Sequence, residues 1–237
     1  MAWIVRMVND NSKPLILVGS RHALGVIKRI CQHHDIVIAG IIDSDYFGNT
    51  VDIEGVSVID TEINLEKYKE THNFFLASVW TPQQDPVNQR NKNRRDYLIS
   101  LIDTLDLPCI TLIDKTSIVD PTVTFGKSCL IDCLTVIGEY NAFGNYVSVY
   151  HQAGFGHHNQ VGNNCVFQRK SGITSNTVIE DNCYFGLNSN LLGSDVIIRQ
   201  GTVLHPGLNL HRSTQENEIV SLAGKDLRRV YISTQEG

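Results

Sequence analysis

From residue 117 onward the chain repeats with a period of six. Every sixth residue from Val119 gives Val119, Phe125, Ile131, Ile137, Phe143, Val149, Phe155, Val161, Phe167, Ile173, Ile179, Phe185, Leu191, Ile197 and Val203, all aliphatic or phenylalanine. Two places before these stand mostly small or modest residues, among them Ser117, Cys129, Thr135, Asn141, Asn159, Cys165, Ser171, Thr177, Cys183 and Ser189. Glycine follows the apolar position at 126, 138, 144, 156, 162 and 186. A period of six sustained over about ninety residues fits neither the 3.6 of a helix nor the 2 of a long strand, and points to stacked short repeats. It predicts a parallel β-helix in which each hexad is a short strand and a corner. The apolar residue points inward, the small one packs beside it, and glycine relaxes the corner backbone. Three hexads make a triangular coil, so the pattern predicts five coils about 4.8 Å apart in unbroken register to Val203. Cys129, Cys165 and Cys183 then fill small inward positions as packing residues.

The first hundred or so residues follow another rhythm. PLILVGSRHALGVIKRICQHHDIVIAGIIDSD predicts a strand near 15–18, a glycine turn, a helix burying Ala23, Leu24, Ile27, Ile30 and Cys31, and a strand near 36–42 ending at Asp43. An irregular piece with GVSVID, a short helix near 64–71, the strand NFFLASV (73–79), a helix near 88–105 and the strand CITLI (109–113) follow. Strands alternating with helices predict a small parallel α/β sheet. The expected division is 1–113 for this Rossmann-like part, 114–211 for the β-helix and 212–237 for a C-terminal tail.

Composition narrows the partners. With 20 basic and 25 acidic side chains the formal charge is −5, and no basic block suggests nucleic acid or an anionic membrane surface. The start, MAWIVRMVNDNSKP, does not read as a signal peptide, and no apolar run approaches the ~20 residues of a membrane span. Six cysteines without a CxxC pair suit a reducing compartment, so a cytoplasmic location is expected.

The turn GSRHALG (19–25) lies between strand and helix, where backbone N–H groups and the helix dipole favour an anion. Asp43 follows Gly19 by 24 residues, near where a dinucleotide-binding unit places its ribose-binding acid. The glycines do not form GxGxxG, so a nucleotide-bearing substrate is the milder expectation, with an ordinary βα turn the structural alternative.

With both parts placed, the chain resembles the hexapeptide-repeat sugar acyltransferases of the NeuD/PglD type. The resemblance spans residues 14 to 207. It rests on LILVGSRHALGVI, AGIIDSD and NFFLAS, and on FGHHNQVGNNCVF and VIEDNCYFGLNSNLLGSDVIIRQGTVL. It implies a Rossmann-like domain that holds a nucleotide sugar, followed by a left-handed β-helix, an exception to the usual right-handed crossover. The activity implied is acetyl-CoA-dependent N-acetylation of a nucleotide-linked amino sugar, expected to be a 4-amino-4,6-dideoxy sugar. A homotrimer with CoA between neighbouring prisms, and no metal, are also implied. O-acetylation of a sugar or sialic acid, and a non-catalytic β-helix binding protein, stay open as alternatives.

The resemblance also assigns residues. His157, four before Val161, takes the place of the general base, and His158 stands where relatives often carry an acid. Gly19, His22 and Asp43 are expected to face the nucleotide sugar. Ser175, one coil above His157, is expected to offer its amide to the thioester carbonyl, with Gly172 and Asn176 as CoA-side neighbours. LAGKDLRR (222–229) faintly echoes the segment by which relatives leave the helix.

The spacing itself puts His157 and His158 at a corner of the prism, with Glu139 and Tyr140 one coil below. Glu139 is therefore expected to hydrogen-bond and orient His157. Histidine suits removal of a proton from an attacking amine near neutral pH. The bland alternative is two surface turn residues, and His151, one hexad earlier, is expected to be a solvated turn residue. A γ-carbonic-anhydrase-like zinc site would need a histidine about two coils upstream, where Pro121 and Thr122 stand.

Overall fold

The computed structural model describes residues 13–20, 23–49, 52–82, 86–221 and 230–231. These fall into two compact units, one running to Lys115 and the other from Thr116.

In the first unit, apolar strands carry a sheet between helices. Its elements are β1 (Leu15–Val18), α1 (Leu24–His33), β2 (Ile38–Ile42), β3 (Asp52–Ile53), β4 (Val56–Asp60), a 3₁₀ turn (Glu62–Tyr68), β5 (Asn73–Leu76), α2 (Pro86–Thr104) and β6 (Leu112–Ile113). The sheet order is β3-β4-β2-β1-β5. Pairing is parallel throughout except for the β3–β4 hairpin, where the sequence predicts only an irregular piece. All four residues of β1 are buried, as a central parallel strand covered on both faces requires. Helix α1 lays Leu24, Ile27, Ile30 and Cys31 on this core. Ala23, expected on the same face, is instead the helix's N-cap in a left-handed conformation, φ 63°. Burial pushes the Cys31 thiol up to about 12, which makes it a packing group rather than a nucleophile.

Asp60 closes β4 and starts the 3₁₀ turn. Its carboxylate accepts hydrogen bonds from Thr61 N–H at 2.8 Å, Asn64 Nδ2 at 2.8 Å and the Tyr68 hydroxyl at 2.9 Å, and pairs with Lys67. Burial raises its pKa, but the donors outweigh burial and hold the carboxyl well below the usual carboxylate range. A folded-state value below the unfolded one gives stability that is present above pH ~4 and lost as pH falls through the folded value. Asp60→Asn should therefore cost about 2 kcal/mol at pH 7. The gap to wild type in thermal midpoint should narrow below pH ~4, and a gap constant from pH 7 to 3 would refute this.

The second unit is the parallel β-helix. Two-residue strands recur from Ile118–Val119 to Asn190–Leu191 at six-residue spacing, and within this run each pairs in parallel with the strand 18 residues away. Phe125, Phe143, Phe155, Phe167 and Phe185 form one continuous line of ring contacts inside, with centroids 4.9–5.1 Å apart. Cys129, Cys165 and Cys183 are buried, and each thiol donates to a carbonyl of the next coil, Gly144, Glu180 and Arg199 respectively.

Two expectations for the repeat are corrected. The register slips by one after Leu191, where five residues rather than four separate the strands. Val178 and Ile179 consequently pair with Ile197 and Ile198. The inward positions there are Ile198, Leu204 and Leu210, not Ile197 and Val203, and the ladder continues through Asn209–Leu210. The glycines after the inward residues also do another job. A Cβ on Gly162 would lie 2.8 Å from the Asp181 amide nitrogen, so close approach of the next coil excludes a side chain there. The left-handed backbone falls two residues later, at every corner from Ser128 through Leu134, Tyr140, Tyr146, Gln152, His158, Asn164, Lys170, Asn176 and Asn182 to Asn188. Asparagine and histidine tolerate that conformation better than most residues with a Cβ.

The last parallel strand, Glu218–Val220, pairs with Val203–Leu204 on one side. On its other side it meets Val230–Tyr231 running antiparallel.

Candidate functional site

The histidine corner is built from three coils. His157 and His158 follow the inward Phe155 and are both exposed. The His157 N–H donates to Ser175 Oγ above at 3.1 Å, and its carbonyl accepts from Asn176 N–H at 3.0 Å. His158 N–H donates to the Glu139 carbonyl below at 3.0 Å. A φ of 56° makes His158 the left-handed residue of this corner, so the backbone alone accounts for a histidine or asparagine there.

Side chains complete the arrangement. The two Nδ1 atoms lie 3.0 Å apart with the rings at 89°, and the His158 ring packs on Tyr140 with centroids 4.8 Å apart. The expected Glu139–His157 hydrogen bond is absent. Spacing by 18 stacks their backbones, but corner side chains splay outward, and Glu139 meets the histidine pair only through its carbonyl. An Nδ1 pair at this separation needs one proton between the two nitrogens, one as donor and one as acceptor. When His157 donates, its Nε2 lone pair is free to take a proton; when it accepts, Nε2–H can give one.

Behind the corner runs a buried amide spine, at positions where the repeat predicts only small packing residues. Asn141 Nδ2 donates to the carbonyls of Gly138 and Gly156. Asn141 Oδ1 accepts from Asn159 N–H, Asn159 Nδ2 donates to the Thr174 carbonyl, and Asn159 Oδ1 accepts from Thr177 N–H. The spine fixes the Gly156 carbonyl just before the histidines and its equivalents in the coils below and above, Gly138 and Thr174. Its signal was present: two amides 18 residues apart, the only asparagines among the small inward positions from Ser117 to Ser189.

Above His157, the backbone N–H of Ser175 has no hydrogen-bond partner among the described residues. It can therefore serve as a donor to a bound oxygen. Asn176 is the next left-handed corner residue. Gly172 lies on the adjoining strand, paired with Gly154 below and Asn190 above, so two successive outward positions carry no side chain. His151 is not merely a solvated turn residue: its Nδ1 is 3.3 Å from Oδ2 of the buried Asp132. Among the described residues no group of three or more His, Cys, Asp or Glu side chains is arranged to hold a metal ion.

In the first unit, Gly19 follows β1 with φ +78°, and its N–H donates to the Ile42 carbonyl at 3.0 Å. A Cβ there would come within 2.9 Å of a terminal methyl of Leu98 on α2, and it is the positive φ that calls for glycine. His22 lies outside the described residues, as does LAGKDLRR. Asp43 sits at the end of β2 but is only 2% exposed, and its oxygens are taken from within. Oδ1 accepts from Asp45 N–H at 3.0 Å and Arg94 Nη2 at 3.2 Å, and Oδ2 accepts from the Ser20 hydroxyl at 2.5 Å. Asp43 therefore joins the β1 and β2 turns rather than standing open. Arg94 and Glu62, which complete its cluster, were not singled out from sequence.

No protein-family model and no curated protein matches the sequence. Solved structures do. A mutant of perosamine N-acetyltransferase from Caulobacter crescentus, in complex with CoA and GDP-perosamine, matches with a TM-score of 0.73 at 15% identity, over 88% of this chain and 93% of that one. WeeI from Acinetobacter baumannii matches with 0.74 at 16% identity, over 92% and 100%. The acetyltransferase domain of PglB from Neisseria gonorrhoeae, in complex with acetyl coenzyme A, matches with 0.55 at 17% identity, over 92% and 99%. The chain has their fold. It is a small α/β unit followed by a left-handed parallel β-helix, and the likeness takes in both units.

Proposed function

We propose that the chain is an acetyl-CoA-dependent N-acetyltransferase acting on a nucleotide-linked amino sugar, with a 4-amino-4,6-dideoxy sugar as acceptor. The observation that carries this is the fold shared, over about nine-tenths of the chain, with a protein solved with CoA and GDP-perosamine and another solved with acetyl coenzyme A. The histidine corner supports it chemically. Residues 1–113 would bind the nucleotide sugar, and the β-helix that follows would carry the transfer. Cytoplasmic and homotrimeric are part of the same reading. The smooth strip at Gly154 and Gly172 suits a narrow acyl carrier or a close neighbour along the prism.

The reaction balances without a protein nucleophile. The sugar amine attacks the thioester carbonyl, whose oxygen becomes an oxyanion that the free Ser175 amide would meet. His157 Nε2 takes the amine proton, the C–S bond breaks, and the proton passes to the departing thiolate. His158 serves as the Nδ1 partner that sets which His157 nitrogen is the base. Holding both substrates in line supplies the rest of the rate.

The test is thiol release from acetyl-CoA against a panel of nucleotide-linked amino sugars. Turnover with a 4-amino sugar is expected. No turnover with any amino sugar would refute N-acetylation, and a protein that also fails to bind CoA would refute the acyltransferase reading altogether.

A further inference from the structure

When His157 Nε2 takes the amine proton the histidine pair becomes a cation, and among the described residues no carboxylate hydrogen-bonds to either ring. The coil below offers Glu139, which meets the pair only through its carbonyl. The coil above offers Ser175 and Asn176, both uncharged. What does lie against the pair is Tyr140. Its ring and that of His158 have centroids 4.8 Å apart and are tilted at 40° rather than edge-on. That is within the ~6 Å over which an aromatic ring attracts a cation.

The coil itself gives little reason for a tyrosine here. Tyr140 is a left-handed corner residue, φ 55°, where a bulky side chain is disfavoured and asparagine is tolerated. Tyr146, the next such corner, is 2% exposed and serves packing, whereas Tyr140 is 58% exposed. Its N–H donates to Thr122 Oγ1 at 2.7 Å, a bond any residue would make, and its hydroxyl has no hydrogen-bond partner among the described residues. An exposed ring in a disfavoured backbone conformation, packed on the imidazole that is bonded to the base, acts on the pair rather than on the coil.

We propose that His158 is a proton relay and that the Tyr140 ring stabilises the positive charge the relay receives. The inference rests on the acetyltransferase reading above and adds the path of the proton. In the resting pair His157 carries Nδ1–H and His158 carries Nε2–H, so the 3.0 Å bond runs from His157 Nδ1 to His158 Nδ1. As His157 Nε2 gains the amine proton, its Nδ1–H bond breaks and an N–H bond forms at His158 Nδ1. His158 is then the imidazolium, lying against Tyr140, and His157 is neutral with its proton on Nε2. When the C–S bond breaks, that Nε2 proton goes to the thiolate sulfur. The His158 Nδ1 proton returns to His157 Nδ1, and both starting tautomers are restored. Tyr140 is a positioning residue that acts through His158, in the part a carboxylate plays behind a histidine base.

Steady-state thiol release with the amino sugar that wild type accepts tests this in four variants: Tyr140→Asn, Tyr140→Phe, His158→Asn and Tyr140→Asn with His158→Asn. Tyr140→Asn should lower kcat about fivefold or more while KM for both substrates stays within about twofold. Its thermal midpoint should be unchanged or higher, because asparagine suits a left-handed corner; a ring that merely braced the coil would lower it. Tyr140→Phe, which keeps the ring, should rescue kcat. Added to His158→Asn, the Tyr140→Asn change should have no further effect, because the imidazole it serves is gone. A full rate in Tyr140→Asn would overturn the proposal, as would a rate that Tyr140→Phe does not rescue. Losses that multiply in the double variant, a rise in KM in place of a fall in kcat, or a kcat that falls together with the thermal midpoint would overturn it too. Each of these, with wild type active, removes the relay alone. Wild type that turns over no amino sugar would overturn the relay together with the acetyltransferase reading.

Discussion

His157→Ala should lower acetyl-CoA turnover by a factor of ~10² or more, with the thermal midpoint unchanged. The side chain is exposed and makes no contact that the coil needs. The backbone bonds of residue 157, from its N–H to Ser175 Oγ and from Asn176 N–H to its carbonyl, survive the substitution. Loss of rate without loss of fold would thus isolate the chemistry of the ring. His158→Asn is the companion, because asparagine keeps the left-handed corner and the ring contact with His157 is lost. It should reduce turnover less than His157→Ala does. Turnover that survives His157→Ala would remove His157 as the base and make His158 the next candidate. Equal losses in both variants would mean that the pair acts as one unit.

Phe167→Ala should have the largest effect on stability, about 3–5 kcal/mol. Phe167 is fully buried and touches Phe155 on one side and Phe185 on the other, so its removal opens a hole in the middle of the ring line. Neighbouring coils are held in hydrogen-bonded register and cannot collapse into the space. For a chain of this size the thermal midpoint should fall by roughly 6–20 °C. Phe167→Leu, which keeps most of the volume, should fall by much less. A shift under about 2 °C for the alanine variant would show that the ring line is not what holds the coils together.

Much of this architecture was legible in the sequence, for a simple reason. A period of six over many coils puts every inward residue under the same constraint, so the pattern repeats before any tertiary contact is known. The slip after Leu191 escaped because residues 197 and 198, and again 203 and 204, are both apolar. Either phase of the repeat reads equally well through those pairs. At the site, spacing by 18 correctly brought Glu139 and Tyr140 beneath the histidines and Ser175 above them. It could not say that the Tyr140 ring would reach His158 while the Glu139 carboxylate would miss His157, because corner side chains diverge. Asp43 stood out by its distance from Gly19, whereas Arg94 did not. Its helix carries Arg90, Arg94 and Arg95, and only packing decides which of them turns toward two buried carboxylates.

The antiparallel pairing of Val230–Tyr231 on Glu218–Val220 has a consequence for how this rod behaves among its own kind. A prism of parallel coils is in principle endless: its terminal rung is a template on which another molecule's first rung could be laid, and rods so joined would grow into fibres. Here one edge of the final rung is already taken by a segment running the wrong way. What faces outward beyond it is two residues long, the short and mismatched kind of border on which strand addition finds little to grip. On this face of the prism, the pairing that finishes the ladder also denies the rod an edge for end-to-end growth.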